Sequence, residues 1–81
     1  METRVAVMGI IVEQKESVAE LNAILHECGQ YIIGRMGLPY EKKNISIISI
    51  AVDAPTDVIN AISGRIGKLS GISVKTALSK V

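Results

Sequence analysis

Two stretches of the chain are apolar at odd and even positions alike. In Arg4-Val5-Ala6-Val7-Met8-Gly9-Ile10-Ile11-Val12 and Ile45-Ser46-Ile47-Ile48-Ser49-Ile50-Ala51-Val52 neither set forms a polar, water-facing side. Such runs read as strands buried on both faces. Ile72-Ser73-Val74-Lys75-Thr76-Ala77-Leu78 alternates instead, as expected of a strand with one buried face. After the first strand, Ser17-Val18-Ala19-Glu20 has the spacing of a capping box, which predicts a helix start at Ser17. Val18, Leu21, Leu25 and Cys28 then form one apolar stripe, with Glu20, Asn22 and Glu27 largely off it. Gly29 is the expected end of that helix, since it accepts a left-handed conformation.

The middle of the chain predicts a short, glycine-bearing strand over Tyr31–Met36, of the kind found at an edge or bulge. Gly37-Leu38-Pro39-Tyr40-Glu41-Lys42-Lys43-Asn44 reads as a hairpin loop. Pro55 suits the first turn of a second helix, and Val58, Ile62, Ile66 and Leu69 continue it at helical spacing to Ser70-Gly71. Gly64 and Gly67 lie inside that helix and read either as a fraying end or, as preferred here, as sites of close packing. The resulting order is β-α-β-β-α-β, the ferredoxin-like α+β unit: a four-stranded antiparallel sheet with two helices on one face. In that unit the first and third strands are central, which agrees with their doubly apolar character. The face opposite the helices is then too apolar for a monomer, so a dimer or tetramer through that face or through paired sheet edges is expected.

Length sharpens this expectation. With 81 residues the chain is a single domain, and a core of that size seldom supplies more than about 3–5 kcal/mol. Cys28 is the lone cysteine, so no disulfide adds to it. Nine basic and eight acidic residues are scattered rather than gathered into a stripe, and the two aromatic residues, Tyr31 and Tyr40, cannot build a multi-base stacking platform. Direct nucleic-acid binding is therefore not expected. No apolar run reaches about 18 residues and no signal peptide is apparent, so no membrane association and a cytoplasmic location are expected.

Candidate chemistry is sparse. Cys28 sits on the apolar stripe, where a thiol is an inert small hydrophobe. His26 lies two residues away, on a different side of the helix, so the two cannot chelate one metal from the same chain; a metal shared between subunits stays open. Glu13 and Glu16 favour the positive end of the first helix rather than forming an acid/base pair. Gly64-Arg65-Ile66-Gly67 falls late in a helix, unlike a phosphate loop or dinucleotide fingerprint. Arg35 suits either an anionic ligand or an interfacial salt bridge. No nucleophile, base and orienting group occur together, so an enzyme is not expected and no cofactor is implied.

Two stretches nonetheless carry a family resemblance: Arg35-Met36-Gly37-Leu38-Pro39 leading into Asn44-Ile45-Ser46-Ile47-Ile48, and Ile62 through Lys75 with its glycine pattern. The chain resembles the small family named for regulation of the iron-only hydrogenase system, over essentially its whole length. The resemblance implies an ACT-like fold, similar to the C-terminal domain of the nickel-responsive repressor. That repressor binds nickel through several histidines and a cysteine, and carries a DNA-binding segment before its ACT-like domain. Here there is one histidine and one cysteine, and strand one begins almost at Met1, so neither property is expected. ACT-like domains associate through sheets or helices and bind small effectors at subunit interfaces, often at the turn from strand one into helix one. The resemblance thus implies a non-enzymatic regulatory homo-oligomer, with Glu13, Gln14, Lys15 and Arg35 as the effector contacts. A ligand-free assembly partner of hydrogenase maturation proteins, or a transcriptional regulator acting through a partner, is the alternative.

Overall fold

In the computed structural model, which describes residues 2–81, β1 (Arg4–Val12), β2 (Ile32–Tyr40), β3 (Ile45–Ala54) and β4 (Ile72–Leu78) form one antiparallel sheet in the order β2-β3-β1-β4. Helices α1 (Val18–Glu27) and α2 (Thr56–Gly67) complete the βαββαβ order. The doubly apolar strands are the two central ones. Their in-register pairing runs from Arg4 opposite Ala54 to Val12 opposite Ser46.

Alternation along these strands divides the apolar residues between two faces. Ala6, Met8, Ile10 and Val12 of β1 and Ile48, Ile50, Val52 and Ala54 of β3 are buried beneath the helices. From above they meet Leu21, Ile24, Leu25 and Cys28 of the α1 segment and Ile59, Ile62 and Ile66 of α2. The predicted stripe of α1 is thus borne out, with Ile24 added to it. On α2 Ile62 and Ile66 are buried as expected, joined by Ile59 in place of the expected Val58, which is half-buried together with Leu69.

Several local expectations are corrected. Ser17 precedes α1 as its N-cap but makes no capping bond: its Oγ–H donates instead to the Ser70 carbonyl at 2.6 Å. A 3-10 turn over Lys15–Ser17 already leads into the helix, and the Ser17 amide donates to the Gln14 carbonyl. Gly29 does not end α1 in a left-handed conformation. Cys28 is the C-cap, and a second 3-10 turn, Gly29–Tyr31, carries the chain into β2. The segment read as a loop from Gly37 is a strand as far as Tyr40, paired residue for residue with β3. Pro39 is tolerated because β2 is an edge strand, where an amide is not needed on the solvent side. The true connection is the turn Glu41–Lys43, closed by Asn44 in the left-handed region at φ 55°.

Gly64 and Gly67 are not explained by close packing within the chain. A Cβ at Gly64 meets nothing within 4 Å, and one at Gly67 meets Val74 at an ordinary 3.5 Å. Gly67 is the last residue of α2, so the end-of-helix reading fits it. Arg35 lies within β2, opposite Ile50, rather than at a strand end.

Candidate functional site

The turn expected to hold an effector follows directly from the end of β1. Val12 is buried in the core, and the chain then leaves the sheet through the exposed residues Glu13, Gln14, Lys15 and Glu16. Ser17, buried to 4% exposure, draws it back in. The turn is fastened to the connection between α2 and β4 at three points. The Glu13 amide donates to the Gly71 carbonyl at 2.7 Å, the Ser17 hydroxyl donates to the Ser70 carbonyl, and the Gln14 side chain lies over Gly71. Gly71 has φ +69°, and a Cβ there would stand 2.5 Å from Gln14 Cγ. Only glycine meets both conditions at little cost.

Arg35 does not join this turn within one chain. It lies opposite Ile50, which lies opposite Met8, and Met8 precedes Glu13 by five residues. At about 3.3 Å per residue and 4.8 Å per strand, roughly 20 Å separates the two. The guanidinium instead donates to Asn22 Oδ1 of α1 at 3.1 Å, on the helix side of the sheet. Sequence reasoning placed the four residues in one site; the register places them in two locations.

Between the helices is a shallow cleft lined by Glu20, Ala23, Ile24, His26, Glu27 and Arg65. The sequence reading passed over it, since nothing in the spacing of Glu27 and Arg65 signals that the helices bring them together. Arg65 donates to the Glu27 carboxylate, and this hydrogen bond holds the guanidinium proton more firmly than usual. Both side chains are about half exposed, so solvent screens the pair and it contributes little to stability. Cys28 lies nearby but buried; desolvation raises its thiol pKa, with Arg65 opposing and Glu27 reinforcing the effect. A buried thiol held protonated is a poor nucleophile. Among the described residues no three His, Cys, Asp or Glu side chains gather as a metal site.

The largest feature is the sheet face opposite the helices. Directly opposed residues share a face, so the register groups Val5, Val7, Gly9 and Ile11 of β1 with Ile45, Ile47, Ser49 and Ala51 of β3. Met36, Leu38 and Tyr40 of β2 extend the group to one edge. Val7, Ile11, Met36, Leu38 and Tyr40 are each 39–56% exposed, and none of the described residues covers them.

The structure of the uncharacterized protein TM1266 from Thermotoga maritima matches with a TM-score of 0.93 at 32% identity, covering 98% of this chain and 100% of that one. A formyltetrahydrofolate deformylase from Pseudomonas putida matches with a TM-score of 0.64 at 10% identity, covering 90% of this chain. This chain spans 28% of that deformylase, and the likeness is one of fold. No curated protein matches significantly. The TM1266-like family, described as "Iron-only hydrogenase system regulator, putative", matches residues 4–76. The chain belongs to this TM1266-like family.

Proposed function

We propose that the chain is a non-enzymatic regulatory module of the iron-only hydrogenase system, a homo-oligomer that holds a small effector at a subunit interface and passes the signal to a partner protein. The observation that carries this reading is the uncovered apolar sheet face. A regulatory chain without a reaction centre must act through differences in association, and an effector shifts such an equilibrium only by binding one packing better than another. The turn Glu13-Gln14-Lys15 is the effector contact in this reading. It offers a carboxylate, an amide and an ammonium group side by side, and its fastening to Ser70 and Gly71 couples it to α2 and β4. Arg35, remote within the chain, enters such a site only from a second subunit.

A thermal-shift screen against amino acids, nucleotides and metal ions tests the proposal. A true effector at 100 times its Kd adds about 2.7 kcal/mol of stability, a shift of several degrees in a small domain. Gln14→Ala and Lys15→Ala abolish that shift if the turn is the site. No stabilising ligand from a broad set contradicts the effector reading. A second reading is favoured by the outer edge of β2, nine residues long and without a strand partner: a hydrogenase maturation protein adds a strand there and no effector is involved. A stable complex isolated from an anaerobic lysate, unchanged by small molecules, distinguishes it.

A further inference from the structure

We propose that two copies of this chain pack their open sheet faces together about a two-fold axis crossing the strands at Gly9, so that the bulky end of each face fills the small-residue end of the other. The inference rests on the oligomeric reading above and adds the orientation of the second copy.

Gly9 supplies the first argument. It sits midway along the central strand β1, where glycine weakens a sheet by offering neither packing nor strand preference. A glycine inside a strand marks a bulge, a bend or the close approach of another backbone or ligand. The pairing of β1 is continuous through Gly9 on both sides, opposite Ser49 and Lys75. Its φ is not positive, and a Cβ built on it meets nothing within 4 Å. Nothing inside the chain requires glycine here. Close approach from outside accounts for it.

The second argument is the distribution of size along the open face. On one side of the Gly9 row lies Leu38-Ile47-Ile11, read across β2, β3 and β1, and on the other lies Gly34-Ala51-Val7. A two-fold axis running across the strands at Gly9 sets each row against the other row of the second copy. Leu38 then faces Gly34 and Ile47 faces Ala51, bulk against space, while Ile11 faces Val7, one methylene smaller. An axis parallel to the strands would set Ile47 against Ile11 at one end and small residues against each other at the far end. That arrangement leaves a wedge-shaped gap, which close-packed interiors do not tolerate.

Charge and area agree with a second copy as the occupant. The charged residues of this face are Asp53, at the end of β3, and Lys75, on the edge strand β4 beside Gly9; an axis along the Gly9 row brings the Lys75 side chains of the two copies together at the rim, where the long stems carry both ammonium groups out to solvent. Sixteen outward positions on the four strands, spaced about 4.8 Å across and 6.7 Å along the sheet, give roughly 500 Å² in projection, and more in accessible surface. A standard interface buries about 800 Å² per partner.

Sedimentation velocity at micromolar concentration tests the proposal on five folded proteins, the parent and four variants, their folds checked by circular dichroism. The parent chain is expected to sediment as an oligomer. Gly9→Leu, which the isolated chain has room for, is expected to weaken association at least 100-fold, whereas Gly64→Leu on α2 leaves it unchanged. Ala51→Ile weakens association about 10-fold or more, and adding Ile47→Ala to it restores association by exchanging bulk and space across the axis. A monomeric parent overturns the oligomeric reading itself. An oligomeric parent whose Gly9→Leu variant is folded and equally associated overturns only the face-to-face packing at Gly9. Association lost in Ala51→Ile and not recovered in the double variant overturns the orientation.

Discussion

Ser17 bears a consequence out of proportion to its size. It is a polar side chain buried against the core, and its hydroxyl satisfies a carbonyl 53 positions away in sequence. Removing the donor deletes a part-buried hydrogen bond whose acceptor, the carbonyl of the exposed Ser70, can turn to water, at a cost of about 0.5–1.5 kcal/mol. Ser17→Ala is therefore expected to lower the unfolding free energy by that amount in urea titration, with the amide of Glu13 exchanging faster because the same turn is loosened. A Ser-x-x-Glu spacing pointed to a local cap; the hydroxyl has a long-range partner that no local pattern can reveal. Gly71→Ala is expected to destabilise by a similar amount, through backbone strain and the collision with Gln14. Cys28 behaves as its burial dictates. Its thiol pKa is raised in the folded state, so the proton is held more tightly there than in the unfolded chain, and this contribution to stability is present at neutral pH and lost as pH rises into the alkaline range. Labelling with a thiol reagent at neutral pH is expected to proceed only at the rate of chain opening, whereas fast labelling of the native protein contradicts the burial.

At the scale of elements, the legible parts of the sequence were those whose pattern is tied to burial. The limits of β1 and β4 follow from hydrophobic patterning: the helix side of β1 is buried from Ala6 to Val12, and on β4 the buried Ile72 and half-buried Val74 begin an alternation that continues, exposed, to Leu78. β2 is different. Its residues from Ile33 to Tyr40 are all exposed, so no burial pattern marks them, and Gly37 and Pro39 pointed to a loop. Leu38 and Tyr40 alternate with them, and that was the available signal for a strand continuing to the edge of the turn. The same lack of a burial signature left the cleft between α1 and α2 unseen, and the register of four strands was needed to show that Arg35 stands apart from Glu13, Gln14 and Lys15. Hydrogen exchange checks this hierarchy. Amides of β1 and β3 are expected to exchange slowest, and outward-facing amides of β2 fastest, since face-to-face packing leaves that edge free. Protection of the β2 edge in the native oligomer would instead indicate edge pairing.

For the whole molecule, the decisive quantity is apolar surface without cover. An 81-residue chain with two helices can roof one side of a four-stranded sheet, and this chain carries apolar residues on the other side as well. The family links it to regulation, and the geometry locates a surface on which regulation by association would act. Ile11→Lys, which adds a charge at an exposed position of that face on the central strand β1, is expected to leave the fold intact and the chain dissociated. The most direct test is the solution mass of the unaltered protein by light scattering at micromolar concentration. The account predicts two or four times the 8.7 kDa of one chain, and a mass of 8.7 kDa with the native fold retained would contradict it.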